Sequence, residues 1–380
     1  MKIVYVYKAL ALWGGIERIF TNKMNYLSEQ YGYDVTIITT CQGDHTVPYP
    51  LSSKVKHIDL NIRFHTKYRY GILKKLWVGH QMNIKFKKLL KKQFNTINPD
   101  IIIVTTDLYM DVVSQLANGI PVIAESHSDK YQNLLSNNGK KLNVIRQYEQ
   151  NKYLKSINKV TKLVTLTEQD TKIWNIPEKT VIIPNCIHSN HEKYSTCENK
   201  QVIFVGRFSY QKGIDYAIDI WKIVHQKHPD WELHLYGEGE LKDLYASEIE
   251  KLSLSNTIFV HAPTPHINNV YTESSMFILT SRYEPFGLVI PEAMSCGVPC
   301  IAFQCAGPMN IIDDQINGLL IDNGNIQSFA DAICHLIENE QIRKAMGQKA
   351  IEKAKCYDIK NIMPKWKELF EDLLKTKQKE

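Results

Sequence analysis

Short apolar runs alternate with helix-length segments along most of the 380-residue chain. The runs are rich in β-branched residues and are bounded by polar residues, Gly or Pro, so they predict strands. Many are apolar at successive positions, which predicts strands buried on both faces, as in parallel sheets. The predicted strands form two sets: Ile3–Tyr7, Asp34–Thr39, Ile101–Thr105, Val122–Glu125, Leu163–Leu166 and Val181–Pro184, then Val202–Val205, Glu232–Tyr236, Ile258–His261, Met276–Thr280, Pro299–Phe303 and Leu319–Ile321.

Helix-length segments between these strands predict βαβ units, and the polar stretch Ser189–Lys200 between the two sets is the predicted linker. The sequence therefore predicts an α/β protein of two Rossmann-like, doubly wound domains that face a central cleft. Residues 1–188 and 189–358 are the predicted domains. Residues 359–380 are expected to form a C-terminal helix that caps the second domain or crosses back to the first. Ligands of such sheets bind beyond the carboxyl ends of the strands.

Composition is that of a globular protein, with 44% hydrophobic and 23% charged residues. No apolar run reaches the roughly 18 residues that a membrane span needs. The N-terminal run lacks a small-residue cleavage site, which favours a buried strand over a signal peptide and makes the cytosol the expected compartment. The eight cysteines are expected to be free thiols. Cys296, Cys300 and Cys305 lack the spacing of a zinc site, so we interpret them as core residues.

Two segments at predicted strand ends suit a phosphate. Gly14 and Gly15 follow the first strand, where paired glycines and the free N–H groups of a helix start can approach a ligand, although a ligand-free turn fits equally well. Arg207 and Lys212 follow the strand Val202–Val205 and suit a diphosphate. The alternative for these two residues is a pair of solvated surface cations.

A third segment carries two carboxylates, Glu284 and Glu292, around a loop and a predicted helix start at Pro291. Carboxylates accept hydrogen bonds from hydroxyls, so they suit a ribose or a sugar. A pair of hydrolytic carboxylates would instead need a separation of roughly 5 to 9.5 Å. A surface glutamate and a helix-capping glutamate are the remaining alternative.

The string EPFGLVIPEAMSCGVP resembles the signature of retaining glycosyltransferase family 4, of the two-domain GT-B type, with seven residues between Glu284 and Glu292 as in its E-x7-E pattern. FVGRFSYQKGID resembles the phosphate-binding loop of that family, and GGIER resembles its N-terminal glycine motif. LYGEGE and IIPNCI resemble two further landmarks, the second with Cys186 where the family usually has Gly. The resemblance spans nearly the whole chain and is strongest after Val202.

The resemblance implies a role for each matching residue of the second domain. Arg207 and Lys212, beside Gly206, would hold the donor diphosphate. Glu292 would bind the ribose hydroxyls, and Glu284 would bind hydroxyls of the donor sugar.

Further implied contacts complete the site. The segment Phe286, Gly287 and Leu288 would bind the donor, chiefly through its backbone, and Gly15 would approach the phosphates. His127 matches the active-site histidine of the family, the alternative being an ordinary loop histidine. The implied catalytic residues are His127, Arg207, Lys212 and Glu284.

The implied reaction is retaining transfer of a hexose or N-acetylhexosamine from a nucleotide diphosphate sugar, with UDP favoured, to a sugar hydroxyl of a glycan. No D-x-D motif occurs, so no metal and no other cofactor is expected. The cationic pair would stabilise the leaving diphosphate. A non-catalytic glycosyltransferase-like partner subunit, a phosphorylase and a sugar-nucleotide epimerase are the alternatives on the same architecture.

The segment between Asn61 and Asn98 has no acidic residue and ten basic ones, and Leu73, Leu76 and Trp77 fall near one helical face. A basic, partly amphipathic segment with Trp suits an anionic membrane surface, here through Arg63–Lys92. A solvated basic face is the alternative, and no motif supports nucleic acid as a partner. The expected acceptor is a lipid-linked glycan used in surface polysaccharide or glycan assembly, at the inner face of the cell membrane.

Overall fold

The chain, described by a computed structural model over residues 1–12, 14–127, 153, 155–189 and 191–377, forms two compact units. Unit 1 comprises Met1–Ile183 and Met363–Glu380, and unit 2 comprises Pro184–Ile362. The segment predicted as a linker, Ser189–Lys200, therefore belongs to unit 2. Each unit is built on one parallel sheet with helices, which confirms the predicted Rossmann-like α/β class.

The sheet of unit 1 has seven parallel strands in the order β3-β2-β1-β4-β5-β6-β7. The central strands are buried at nearly every position, as their apolar runs predict. The sequence prediction omits β3, an exposed and polar edge strand that has no apolar run to mark it. The strands are β1 Lys2–Tyr7, β2 Asp34–Thr39, β3 Lys56–Asp59, β4 Ile101–Thr105, β5 Val122–Glu125, β6 Lys162–Thr165 and β7 Thr180–Ile182.

The helices of unit 1, numbered among the described residues, begin with α1, which follows β1 directly. A short 3-10 helix, Phe64–Arg69, precedes the long helix α2. Phe86, Leu90 and Phe94 of α2 are buried in the core of this unit. The helices are α1 Gly15–Glu29, α2 Ile72–Ile97, α3 Met110–Leu116 and α4 Glu168–Trp174.

The sheet of unit 2 has six parallel strands in the order β10-β9-β8-β11-β12-β13. Its strand order reverses between β8 and β11, and loops that leave neighbouring strands at such a point open a crevice for ligands. The strands are β8 Gln201–Val205, β9 Glu232–Tyr236, β10 Ile258–His261, β11 Met276–Leu279, β12 Cys300–Phe303 and β13 Gly318–Ile321.

The helices of unit 2 connect these strands and carry the segments after the reversal point. Helix α5 follows the loop after β8, and α8 follows the loop after β11. The helices are α5 Ile214–Lys227, α6 Lys242–Lys251, α7 Ile267–Thr272, α8 Val289–Ser295, α9 Ala306–Ile311, α10 Ile326–Glu338 and α11 Glu340–Ala354.

The last helix, α12, runs from Ile359 to Lys377, and its residues from Met363 onward belong to unit 1. It buries one apolar face there, with Trp366 and Phe370 almost inaccessible to solvent. A cavity of about 630 Å³ lies between this helix and the edge strand β7, lined by Ile182 and Leu369 among others.

Gly213 joins a short 3-10 turn, Tyr210–Lys212, to α5 and has a φ of 61°, which favours glycine. A Cβ at this position would lie 2.1 Å from the carbonyl oxygen of Thr280 at the end of β11. The Thr280 hydroxyl donates a hydrogen bond of 2.8 Å to the Gly213 carbonyl. The segments after β8 and β11 therefore meet backbone to backbone, with no room for a side chain.

We predict that Gly213→Ala lowers the free energy of unfolding by at least about 2 kcal/mol, because it combines a left-handed φ with a backbone clash. Gly71→Ala is the matched control, since Gly71 has a φ of −63° and no heavy atom within 4 Å of its Cβ position. We expect that control to change stability by about 1 kcal/mol or less. Urea denaturation followed by circular dichroism measures both variants, and equal stabilities would contradict the prediction.

Candidate functional site

The loop after β8 carries Gly206 and Arg207. Two glycines of the loop after β9 pack against it: a Cβ on Gly237 would lie 1.9 Å from the Gly206 carbonyl oxygen, and one on Gly239 would lie 2.4 Å from the Phe208 carbonyl oxygen. The string LYGEGE has glycine at these two positions because the loops after β8 and β9 lie too close together for a side chain. Arg207 is exposed, and its side chain forms no hydrogen bond or ion pair with the part of the chain that the structure describes. Within the described residues, the Arg207 guanidinium therefore has no partner and is accessible to a ligand at the carboxyl end of β8.

Lys212, at the end of the 3-10 turn, forms an ion pair with Glu284 in the loop after β11. Ser281 also donates a hydrogen bond of 3.3 Å to the same carboxylate oxygen. Both charged side chains are largely buried, with exposed fractions of 17% for Lys212 and 8% for Glu284. Two residues that the sequence places on separate motifs thus meet at the reversal point of the sheet.

The loop that holds Glu284 is fixed by its backbone. The amide of Gly307 in α9 donates a hydrogen bond of 2.8 Å to the Glu284 carbonyl, and a Cβ on Gly307 would lie 2.2 Å from the Phe286 carbonyl oxygen. Gly287 has a φ of 81°. The Phe286 ring is buried against Tyr357 at a centroid distance of 5.8 Å, so only the backbone of Phe286 is available to a ligand.

Helix α8 begins just after Leu288, and Glu292 lies in its first turn. The amide of Glu292 donates a hydrogen bond of 3.3 Å to the Leu288 carbonyl, and the Glu292 residue is buried. Pro291 occupies the first turn of this helix, as the sequence predicts. Glu284 and Glu292 therefore lie at the two ends of one loop and helix start, a single structural segment of unit 2.

Arg282, which the sequence analysis missed, joins the segments after β8 and β11. Its guanidinium lies 4.0 Å from the ring centroid of Tyr210 and 4.1 Å from that of Tyr216. The same group donates hydrogen bonds to the Asp215 carboxylate and to the Tyr210 carbonyl, the latter 2.8 Å long. The hydrogen bonds that Arg282 donates to Asp215, together with the charge of that carboxylate, raise the pKa of Arg282 despite its partial burial.

The position of Arg282 fixes the turn that ends in Lys212. The backbone amide of Arg282 also donates to the Gln211 carbonyl at 2.9 Å, so side chain and main chain hold the turn together. Arginine usually lies at the surface in solvent, and no spacing rule links Arg282 to Asp215. The only available signal in the sequence is the place of Arg282, two residues before Glu284.

The predicted glycine motif of unit 1 lies at the start of α1. Gly15 is the first residue of the helix and has open space at its Cβ position, whereas a Cβ on Gly14 would lie 2.1 Å from a carboxylate oxygen of Glu17. The Tyr7 hydroxyl donates a hydrogen bond of 3.2 Å to Glu17. Burial, and then the nearby Glu17 charge, raise the pKa of Tyr7. A side chain at Gly14 would therefore have to displace the end of the Glu17 side chain, while Gly15 leaves the helix start accessible.

His127 follows β5, and its side chain is only 2% exposed. Its Nε2 lies 2.8 Å from Glu125, and its ring lies edge-to-face with Phe20 at 5.8 Å. Nδ1 is buried and has no hydrogen-bond partner among the described residues. The His127 ring is therefore part of a buried polar cluster at the end of β5.

Lys23 of α1 completes that cluster, with its ammonium 2.5 Å from both carboxylate oxygens of Glu125 and 3.9 Å from the ring centroid of Trp366 in α12. Burial raises the pKa of Glu125, but the charge of Lys23 and the hydrogen bond with His127 outweigh it and lower the pKa below its usual value. The carboxylate is therefore ionised and holds a buried cation. Neither Lys23 nor Glu125 belongs to a predicted motif.

The remaining sequence predictions concern metals, thiols and membrane spans. None of the eight cysteines, all of which lie in the described ranges, forms a disulfide, as predicted, and Cys296, Cys300 and Cys305 are buried. Burial raises the pKa of Cys296 to about 12, so this thiol stays protonated. Within the described ranges, no group of three or more His, Cys, Asp or Glu side chains is arranged to hold a metal ion. Over the same ranges, no helix has the length and apolarity needed to cross a membrane.

Two family models match the chain. The model described as Glycosyltransferase Family 4 matches residues 13–191, and the model described as Glycosyl transferases group 1 matches residues 189–353. The chain therefore belongs to these glycosyltransferases, which are of the GT-B type.

Similar proteins include an uncharacterized glycosyltransferase of Haemophilus influenzae, 28% identical over 93% of this chain and 95% of the relative. A poly(ribitol-phosphate) alpha-N-acetylglucosaminyltransferase of Staphylococcus aureus is 33% identical over 57% of this chain and 45% of that protein. A crystal structure of Staphylococcus aureus TarM, solved with UDP and alpha-GlcNAc-glycerol, is 18% identical, with a TM-score of 0.78 over 97% of this chain and 99% of that one. At this identity, the likeness to TarM shows a shared fold.

We predict that Glu125→Gln lowers the free energy of unfolding by about 3 to 5 kcal/mol, because it removes the carboxylate charge that lies against the buried Lys23 ammonium. Asp34→Asn is the control, since it removes the partner of the exposed Lys56. That change is expected to cost about 1 kcal/mol or less. Denaturant titrations measure the free energy of unfolding of both variants. Similar losses would contradict the prediction, because they would show that the buried pair stabilises the fold no more than the exposed pair.

Proposed function

We propose that this glycosyltransferase moves a hexose or N-acetylhexosamine from a UDP-sugar to a sugar hydroxyl of a lipid-linked glycan, with retention at the anomeric carbon and without a metal. The glycan is one used in surface polysaccharide or glycan assembly. The enzyme works as a peripheral protein at the inner face of the cell membrane, which it contacts through Arg63–Lys92. The observation that carries this proposal is the meeting of Lys212 and Glu284 beside a free Arg207 at the reversal point of the sheet of unit 2.

Arg207 and Lys212 suit the donor diphosphate. A guanidinium binds phosphate oxygens in pairs and an ammonium adds a compact charge, so together they stabilise the negative charge that develops on the leaving group. The bond between the anomeric carbon and the diphosphate oxygen breaks, a bond to the acceptor oxygen forms on the same face, and the acceptor proton passes to the departing diphosphate. Arg207, Lys212, Glu284 and His127 are the residues proposed to act here.

Glu284 suits the donor sugar, and Glu292 suits the ribose. A carboxylate that already accepts hydrogen bonds from Lys212 and Ser281 is held in one orientation, so its remaining lone pairs can accept from sugar hydroxyls. The amide N–H groups of the Phe286–Leu288 segment and the helix start at Gly15 are proposed to bind donor oxygens. We propose no nucleophilic role for Glu284.

The similar proteins favour UDP and a glycan acceptor. TarM was crystallised with UDP, and HepE of Anabaena, which is 19% identical with a TM-score of 0.74 over 98% of this chain and 100% of its own, was crystallised with UDP. The Staphylococcus aureus relative is named for transfer of N-acetylglucosamine to a poly(ribitol-phosphate). These names support a sugar hydroxyl or polymer hydroxyl as the acceptor.

The direct test incubates the full chain with UDP-glucose, UDP-galactose and UDP-N-acetylglucosamine and a lipid-linked glycan acceptor, with and without EDTA. Mass spectrometry of the product, and NMR of its anomeric configuration, are the measurements. A glycosylated acceptor with the donor configuration supports the proposal. Release of free UDP and sugar without acceptor would favour an epimerase, and no turnover with any donor would favour a non-catalytic partner.

We predict that Lys212→Ala lowers kcat/KM by about 10²- to 10³-fold with the fold intact, because it removes one of the two cations for the leaving group. Lys227→Ala is the matched control, since Lys227 is an exposed lysine of the same unit whose ion pair with Asp331 lies outside the candidate site. Steady-state kinetics and thermal unfolding of both variants are the measurements. Unchanged turnover in Lys212→Ala would refute this role.

We predict that Arg282→Lys weakens UDP binding about tenfold although it keeps the positive charge. A lysine cannot make the paired hydrogen bonds to Asp215 or fill the space between the two tyrosine rings, so the Lys212 turn loosens. Isothermal titration with UDP measures the affinity, and a double-mutant cycle with Asp215→Asn tests the coupling. Full affinity in Arg282→Lys would mean that charge alone matters at this position.

A further inference from the structure

The first turns of α2 in unit 1 expose four large apolar side chains to solvent. Ile72 is 79% exposed, Leu73 85%, Leu76 67% and Trp77 63%. We call these four residues the apolar tip. Residues i, i+1, i+4 and i+5 of a helix lie side by side, so the four form one contiguous surface. Large apolar groups clustered in this way mark a surface that contacts a partner or a membrane.

The apolar tip lies in the first turns of α2, away from the turns by which this helix packs on its own domain. Those later turns carry Phe86, Leu90 and Phe94, which are buried in the core of unit 1. The two sets of apolar residues therefore occupy different parts of the length of α2: the first turns expose their apolar side chains, and the later turns bury theirs.

Lysine and tyrosine side chains surround the apolar tip. Lys75 lies 4.3 Å from the ring centroid of Tyr68, and Lys74 lies 4.6 Å from that of Tyr70. Both tyrosines are exposed. Tyrosine and lysine combine an apolar body with a polar end, which suits the boundary between acyl chains and headgroups.

Further along the exposed side of α2 the surface becomes basic. Lys87, Lys88 and Lys91 are exposed and follow Ile84 at helical spacing. None of the ten basic residues between Asn61 and Asn98 forms an ion pair within the described part of the chain. This uncompensated positive charge beside an apolar surface complements anionic lipid headgroups.

We propose that the apolar tip inserts into the acyl boundary of an anionic membrane while the neighbouring lysines bind the headgroups. This inference rests on the proposed contact of Arg63–Lys92 with a membrane and adds insertion of defined side chains to it. A purely electrostatic contact needs only the lysines and leaves the apolar tip in water. Insertion removes that apolar area from water, which is the stronger and less salt-sensitive contribution.

The test is co-flotation of the full chain with phosphatidylglycerol–phosphatidylcholine vesicles and with pure phosphatidylcholine vesicles, without donor or acceptor. Leu73→Ser combined with Trp77→Ser removes half of the apolar tip and leaves every lysine in place. The matched control combines Leu244→Ser with Ile342→Ser, two exposed apolar residues of unit 2. Thermal unfolding verifies that all variants are folded.

We expect wild type and control to float with the anionic vesicles, and the Leu73/Trp77 variant to partition roughly tenfold or more weakly. Trp77→Phe should retain binding, because it keeps an apolar ring. We also expect moderate salt to weaken wild-type binding without abolishing it.

Other outcomes overturn the inference in distinguishable ways. Equal flotation of wild type and the Leu73/Trp77 variant would overturn insertion and leave electrostatic contact standing. Absence of wild-type flotation would overturn the membrane contact as well. A wild-type dimer that the Leu73/Trp77 variant dissociates, seen by light scattering, would assign the apolar tip to a second copy of the chain. Transferase activity on a soluble acceptor is measured separately, so a failure of insertion leaves the proposed reaction unaffected.

Discussion

The candidate site of unit 2 depends on ionic contacts between the segments that follow β8 and β11. Parallel strands bring their carboxyl ends to one edge of the sheet, but they do not fix the loops beyond that edge. Here the Lys212–Glu284 pair and the Arg282–Asp215 pair tie these loops together, and Gly213 allows their backbones to touch. Cations held in place before a ligand arrives lose little freedom on binding, which is the physical basis of preorganised electrostatic stabilisation.

The sequence predicts the architecture well because buried parallel strands carry a strong signal. The apolar runs of β1, β4 and β11 are almost uninterrupted, whereas the polar edge strand β3 has no such run to predict it. The site motifs were found through their family pattern, and the structure brings Lys212 and Glu284 together. Their roles in donor binding stay predictions. Arg282 could not be predicted, since its partners Asp215 and Tyr210 are distant in sequence and are brought near only by the fold.

In unit 1, the histidine that matches the family pattern lies in a buried charged cluster. His127 matches a family position just after β5, and its ring is buried beside Glu125 and Lys23. A buried ion pair contributes modestly to stability in itself, but the loss of either partner leaves an uncompensated charge. The cluster therefore restricts which side chains unit 1 can accept around His127, and it fixes the orientation of that ring.

The last helix, α12, completes unit 1 only after the whole of unit 2 has been synthesised. Trp366 covers the Lys23 ammonium, yet these residues lie at opposite ends of the chain. A ribosome releases the N-terminal strands and the whole of unit 2 before Trp366 emerges. The nascent unit 1 therefore has an uncovered charge and an incomplete apolar surface until Trp366 has been made. Unit 1 thus begins before unit 2 and is completed after it, so a chain that stops at Ile362 has all of unit 2 and lacks part of unit 1.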